Sequence, residues 1–325
     1  MWSIAVPASA MVRRLAFRAM GSEMALITVT DHPDADVRLN AARAMIDRLE
    51  ERLSRFRASS ELSTLNAQPG RPVRVSEELW DVLIHAMDGS RRTNGLYDPT
   101  IVGALERAGY DRPFEAVRGG GDAVPPGGPR VSWRDVGLDC GARRVTLPVG
   151  VRLDFGGIGK AWTADRAAGA LSAAGPCLVD AGGDIAVRGV PAGWRGWPVG
   201  ITDPRQPAET LTVLAVTGGG VATSGVDVRR WRRGGQMCHH IIDPRTGMPA
   251  ATDLLSVTVV GPDAMEANLY AVTTMILGSE EGLRYLAGQH GVEALAVRQD
   301  GGLRCTPGFP AHVWSEPRTG GRIDA

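Results

Sequence analysis

The sequence predicts an α+β fold: a mainly antiparallel sheet with helices segregated from it. Three observations lead there. Amphipathic helical stretches stand apart from the strands, short apolar runs separated by glycine turns dominate from residue 131 onward, and no repeat of fixed period runs through the chain. The 325 residues, 43% hydrophobic and 22% charged, have the balance of a soluble globular protein with a sizeable core.

In chain order, "MGSEMALITVT" (20–30) alternates and then runs apolar, so it reads as a first strand. "DADVRLNAARAMIDRLEERLSRF" (34–56) carries an acidic start, apolar residues at helical spacing and Arg/Glu pairs on its wet face, which makes a helix. "SSELSTLNAQPG" (59–70) reads as a turn-rich loop, and 75–95 as a second amphipathic helix capped by Ser76 and stopped at Gly95. Residues 111–130, "DRPFEAVRGGGDAVPPGGPR", read as a flexible surface insertion. Strands follow at "VSWRDVGLD", "RRVTLPVGVRLDF", "PCLVDAGG", "DIAVRG", "WPVGITD", "LTVLAVTGG", "LSVTVVG" and "VEALAVRQDG". Helices begin near Lys160, at 266–278 and at "EEGLRYLAGQHG". The expected organisation is an N-terminal extension (1–18), a single domain (19–315) containing the insertion, and a frayed tail (316–325).

Lys+Arg and Asp+Glu both number 36, so no global field favours nucleic acid or an anionic membrane. No apolar run approaches the roughly 20 residues that span a bilayer. The N-terminus has a weak "ASA" site but lacks a basic n-region, which points to a cytoplasmic protein rather than an exported one. Cys140, Cys177, Cys238 and Cys305 form no C-x-x-C pair and read as free thiols of a reducing compartment.

Four polar turns carry the chemistry. "DFGGIGKAWTAD" (154–165) sets a glycine turn ahead of a helix, where bare backbone lets a phosphate reach the amide N–H groups and Lys160 adds positive charge. It is not a Walker A loop, because Asp154 and Ala161 occupy the first-glycine and Ser/Thr positions; nor is it G-x-G-x-x-G, because Trp162 replaces the last glycine. "DAGGDI" (180–185) is a second glycine turn flanked by carboxylates, and "VATSGVD" (221–227) adds hydroxyls without a nucleophile-elbow pattern. "CHHIIDPRTGMP" (238–249) is a turn that Asp243 and Thr246 can brace, and its Cys and His residues lack the second ligand pair of a zinc site. Any one of these is an ordinary structural turn; four together read as the rim of a ligand site.

Taken in order, "AMGSEM", "LSRFRASSELSTLN", "GLYDPTI", "DFGGIGKAWTADRAAGAL", "LVDAGGDIAVRG", "ATSG", "HHIIDPRTGMP" and "ANLYAVTTMILG" resemble the FAD:protein FMN transferase (ApbE) family over residues 19–278. The resemblance implies a single two-lobed α+β domain with the flavin nucleotide in a cleft. It implies FAD as substrate, Mg²⁺, and transfer of FMN through a phosphoester to a Ser or Thr of an acceptor protein, with hydrolysis of FAD to FMN and AMP in some members. Carried over, Met20, Leu96, Tyr97, Asp98, Asp154, Lys160 and Ile242 are expected FAD contacts. Phe56 stands where a Tyr is usual and would pack on the nucleotide without the hydroxyl. Gly157 matches a position whose carbonyl ligates Mg²⁺. The family's metal-binding Asp and Thr, one turn apart on the last helix, fall on Asn268 and Val272, so the ligand set is altered; Thr273 lies about 100° around the helix. Either Asp243 or Asp184 is a candidate base for the acceptor hydroxyl. Beside the active transferase stand two other readings: a degenerate FAD- or nucleotide-binding relative with weak or no Mg²⁺-dependent transfer, and an enzyme turned to another pyrophosphate or a pterin-like ring.

Overall fold

The computed structural model describes residues 11–124, 132–315 and 323–324. Its seven α-helices among these residues are α1 (Ala35–Leu53), α2 (Glu61–Asn66), α3 (Glu77–Arg92), α4 (Val102–Arg107), α5 (Gly159–Leu171), α6 (Ala264–Leu277) and α7 (Ser279–Ala287). The chain divides into two compact units, one of residues 1–47, 160–225 and 253–325 and the other of residues 48–159 and 226–252.

The first unit is built on a nine-stranded sheet, antiparallel throughout except where Ile323–Asp324 pairs parallel with Leu303–Cys305. Period-two alternation gives the sheet two apolar faces. In strand Ser22–Val29, Met24 and Leu26 face one layer while Ile27 and Val29 face the other. In strand Cys177–Ala181, Cys177, Val179 and Ala181 share the first face and Leu178 takes the second. The first face is covered by Leu39, Ala42 and Ile46 of α1 and by Ala161, Ala164, Ala167, Ala168 and Leu171 of α5. That run of alanines on α5 lets the helix lie close on the sheet. The second face packs on a separate antiparallel sheet of strands Trp197–Asp203, Gln206–Val216 and Val313–Ser315, with Trp197, Leu211, Leu214 and Phe309 in the interface. This layering is an α+β fold with its helices segregated to one face, as the patterning predicts.

The second unit gathers α2, α3 and α4 with a three-stranded antiparallel sheet of Pro72–Arg74, Gly137–Asp139 and Arg144–Thr146. Two hairpins complete it, Arg230–Arg233 with Gln236–His239 and Ile242–Asp243 with Met248–Pro249.

Several expectations need correction. The segment placed in an N-terminal extension holds all but the last residue of an edge strand, Val12–Ala19, paired along its length with Ser22–Val29; Leu15, Phe17 and Ala19 on its more buried face carry the strand period. Residues 59–70 are not all loop, because Ser60 caps α2 by accepting from the Ser63 N–H at 2.9 Å. "VSWRDVGLD" begins with Val131, outside the described residues, then forms a 3₁₀ turn at Trp133–Asp135 before the short strand Gly137–Asp139. The insertion is anchored over 111–124: Val124 is buried, Phe114 and Val117 pack on Tyr110 and Trp231, and the Gly120 and Gly234 amides donate to Arg232 and Gly121 carbonyls. Its few apolar residues lack a period, so the anchoring is not visible as a pattern; residues 125–130 lie outside the described residues. Of the tail, 316–322 and 325 also lie outside them, and Ile323–Asp324 is strand rather than frayed end.

The cap at Ser60 is fully buried, and its hydroxyl also donates to the Ser54 carbonyl at 2.6 Å. Ser60→Ala is expected to cost about 1–2 kcal/mol of stability. Urea denaturation measures this; an unchanged midpoint would show that the cap contributes nothing.

Candidate functional site

The first unit places Lys160, Asp184 and Asn268 together. Lys160 lies in the first turn of α5 and reaches the Asp184 carboxylate, pairing with Oδ2 and donating to the Ala181 carbonyl at 3.3 Å. Asp184 follows the Gly182–Gly183 turn, whose positive φ values of 68° and 93° suit glycine. A Cβ at Gly182 would also lie 2.6 Å from the Ser22 Cβ, so no side chain fits there. Asp180, at the other end of this turn, accepts the Gly183 N–H at 2.8 Å, and burial raises its pKa. Asp184 is only 2% exposed. Its Oδ1 accepts from Asn268 Nδ2 at 2.9 Å, so both carboxylate oxygens are engaged.

Asn268 is held in place from the start of α6. Asp165, one residue type in the α5 motif that the sequence reading left without a role, accepts the Ala264 and Met265 amides at 3.2 and 3.0 Å and pairs with Arg188 at 3.0 Å. Burial, then the neighbouring Asp263, raises the Asp165 pKa. Asp263 is the N-cap of α6, accepting the Glu266 N–H at 2.7 Å. Val272 is half-buried one turn beyond Asn268, and Thr273 turns its hydroxyl back to the Leu269 carbonyl at 2.8 Å. Met20 occupies the hairpin turn before Ser22 with φ 52° and packs on the same apolar layer as α1 and α5.

The second unit forms a separate cluster around Arg55, just past the end of α1. Its guanidinium, 8% exposed as a side chain, pairs through Nε with Asp154 and donates from Nη2 to the Tyr110 carbonyl at 3.0 Å. It also lies over the Phe56 ring at 4.0 Å and the Tyr110 ring at 4.9 Å. Asp154 further accepts the Gly156 N–H, and its own amide donates to Pro99 at 2.8 Å. Asn66 clamps the same segment, exchanging two hydrogen bonds with the Leu153 backbone at 2.8 and 2.9 Å. Tyr97 is buried, and its hydroxyl has no hydrogen-bond partner among the described residues. Burial, with Asp154 and Asp98 adding to it, pushes its pKa well above the usual phenol value. A Cβ at Gly157 would come 3.2 Å from the Tyr97 ring, a tight contact that glycine avoids. Asp98 closes its own turn by accepting from the Thr100 amide and hydroxyl at 2.8 and 2.6 Å; burial raises its pKa. Leu96 is half-buried next to it.

Two expected residues are placed differently from an open site wall. Ile242 is only 2% exposed and belongs to the apolar cluster of Tyr110, Trp231 and Cys238, so it packs in the core of this unit. Asp243 has both oxygens bound by Arg245, at 2.8–3.1 Å, and its carbonyl accepts the Thr246 and Gly247 amides; it braces its own turn. Phe56 is the expected residue left most open, at 39% exposed. The reading of the sequence missed Arg55, Asn66, Asp165 and Tyr110. A lone Arg after a charged helix and an Asp within one look like solvated positions, and only the tertiary partners distinguish them.

The described residues hold no cluster of three His, Cys, Asp or Glu side chains suited to a metal ion. On α6 the expected carboxylate–hydroxyl pair is an amide and an isopropyl group, and the Asp184 oxygens are already taken by Lys160 and Asn268. This donor set does not fit Mg²⁺, a hard ion that favours several oxygens in near-octahedral array.

Fold and clusters together define an α+β protein that sets charged side chains at glycine-built turns, an arrangement suited to phosphate-bearing ligands. Residues 20–296 match the model of the ApbE family. The chain is 33% identical over 303 residues to the FAD:protein FMN transferase of Treponema pallidum, covering 86% of this chain and 83% of that protein. It is 34% identical over 278 residues to that of Rhodobacter capsulatus, covering 79% of this chain and 52% of the relative. The crystal structure of the ApbE protein of Thermotoga maritima superposes with a TM-score of 0.85 at 25% identity, over 94% of this chain and all of that one. The apo flavinyl transferase ApbE of Pseudomonas stutzeri gives 0.80 at 25% identity, over 94% and 98%. The chain belongs to the ApbE family.

Arg55→Ala would leave the Asp154 carboxylate buried without its cation, at a cost of about 3–5 kcal/mol. Tyr97→Phe removes an unpartnered buried hydroxyl and should leave stability unchanged or raised by up to about 1 kcal/mol. Denaturant titration of both variants separates the cases; a neutral Arg55→Ala or a strongly destabilised Tyr97→Phe would contradict the contacts described.

Proposed function

We propose that this protein is a FAD:protein FMN transferase, moving FMN from FAD to a Ser or Thr hydroxyl of an acceptor protein and releasing AMP. The observation that carries this reading is the Lys160 ammonium at the opening turn of α5, paired with a buried carboxylate, in a chain aligned over most of its length with proteins of that name. In the reaction the acceptor oxygen forms a bond to the FMN-side phosphorus. The bond from that phosphorus to the bridging oxygen breaks, and AMP leaves with it. The acceptor hydroxyl gives up one proton.

Lys160 supplies positive charge for the pyrophosphate, helped by the amides at the start of α5. When an anionic ligand draws Lys160 away, Asp184 Oδ2 loses its partner and becomes a proton acceptor. Asp243 has no such release, because Arg245 of its own turn holds both oxygens. The geometry therefore favours Asp184 as the base. In the second unit, Phe56 offers an exposed ring face for a flavin or adenine, and the Tyr97 hydroxyl is a donor awaiting an acceptor. No helix among the described residues is long and apolar enough to cross a membrane. The acceptor partner is a protein, and a cytoplasmic location remains part of this proposal.

Calorimetry with FAD on ligand-stripped protein should show saturable binding, and incubation with FAD should release AMP. Lys160→Met should weaken FAD roughly tenfold or more, since one opposing charge is lost. Asp184→Asn should keep FAD affinity within a few-fold while AMP release falls by roughly a hundredfold or more. Absence of FAD binding would refute the transferase; full AMP release by Asp184→Asn would refute its base.

A further inference from the structure

The α6 face that the family resemblance assigns to Mg²⁺ is built here from other groups, and its hydrogen bonds are specific. Asn268 is only 7% exposed, and its Nδ2 donates to Asp184 Oδ1 at 2.9 Å. Turning the amide over would set its carbonyl oxygen against that carboxylate, acceptor against acceptor, so Asp184 fixes which way the amide faces. Asn268 Oδ1 is thereby left buried with no hydrogen-bond partner among the described residues. A buried carbonyl oxygen in that state calls for a donor.

The charges around it are already assigned. Lys160 sits on Asp184 Oδ2, and Asp180, the other carboxylate beside Lys160, accepts the Gly183 amide through Oδ1. Val272 contributes no oxygen. A dication at Asn268 would find one neutral oxygen of this face free, and an ammonium nearby to repel it. Exchanging a carboxylate for an amide at about 4 Å weakens a cation by on the order of a thousandfold for each unit of its charge at an effective dielectric near 20, and Mg²⁺ carries two.

We propose that this α6 face is a metal-independent site. Lys160 is its resident cation, and Asn268 Oδ1 accepts a hydrogen bond from a hydroxyl or N–H donor of the bound nucleotide. The inference goes beyond the transferase reading and rests on it only for the identity of that nucleotide. Transfer of FMN by this chain would then draw its positive charge on this face from the protein itself.

Two titrations test it. Mg²⁺ alone, followed by calorimetry and by thermal denaturation, should give no saturable binding and no shift with the unmodified protein up to millimolar concentration. The Asn268→Asp, Val272→Thr double variant should acquire both; if circular dichroism shows that variant unfolded, Asn268→Asp alone is titrated in its place. FAD should bind the unmodified protein with affinities within about twofold in Mg²⁺ and in chelator, and the folded variant at least about tenfold more tightly with Mg²⁺ than without. Saturable submillimolar Mg²⁺ binding that Asn268→Ala abolishes would overturn the proposal. So would a folded variant indifferent to Mg²⁺, or a tenfold dependence of FAD binding on Mg²⁺ in the unmodified protein. Failure of FAD to bind under either condition would count against the transferase reading, and the Mg²⁺-only titration would still decide this one.

Discussion

A carboxylate removed from water must have its oxygens partnered, and the first unit is arranged around meeting that demand for Asp184. Three elements distant in sequence converge on it: α5 brings Lys160, the Gly182–Gly183 turn sets the carboxylate at the head of its strand, and α6 brings Asn268. Each approach has its own support. The alanine face of α5 lets Lys160 come in over the sheet, Gly182 accommodates Ser22, and Asp165 and Asp263 saturate the first amides of α6. An isolated ionised group would cost several kcal/mol here, so the pair and its amide donor stand or fall together. In the proposed reaction, an anion that competes for Lys160 would leave Asp184 Oδ2 without its ammonium partner.

The second unit follows the same rule with different residues. Arg55 is buried between Asp154 and two aromatic rings, where a planar guanidinium can hold a carboxylate at its edge and rings at its face. Asn66 locks the extended segment leading to Asp154, and Gly157 lets the backbone run beside Tyr97. What remains open is the ring of Phe56, and what remains unpartnered among the described residues is the buried phenol of Tyr97.

Patterning made much of this legible. The amphipathic period predicted α1 and α3, and alternation predicted most strands of the large sheet, because those signals come from burial on one face. It failed where burial was local or partial. The Val12–Ala19 strand carries arginines on its outer face, so its alternation resembles a polar leader. Helix α2 is six residues long and depends on its Ser60 cap more than on any period. Within the site, glycine turns announced Asp154, Lys160 and Asp184, because backbone geometry leaves a mark on the sequence. Partnerships do not: nothing in "IDPRTG" shows that Arg245 will occupy Asp243, and nothing near Arg55 shows that it will turn inward.

The central claim is that Lys160 and Asp184 form a pair that an incoming pyrophosphate opens. It is tested most directly by a crystal structure of the unmodified protein with FAD, grown in chelator. The account predicts Lys160 Nζ on a pyrophosphate oxygen, Asp184 Oδ2 free of the lysine, and a nucleotide donor on Asn268 Oδ1. A complex in which FAD is bound while Lys160 still rests on Asp184, with the pyrophosphate held elsewhere, would contradict it.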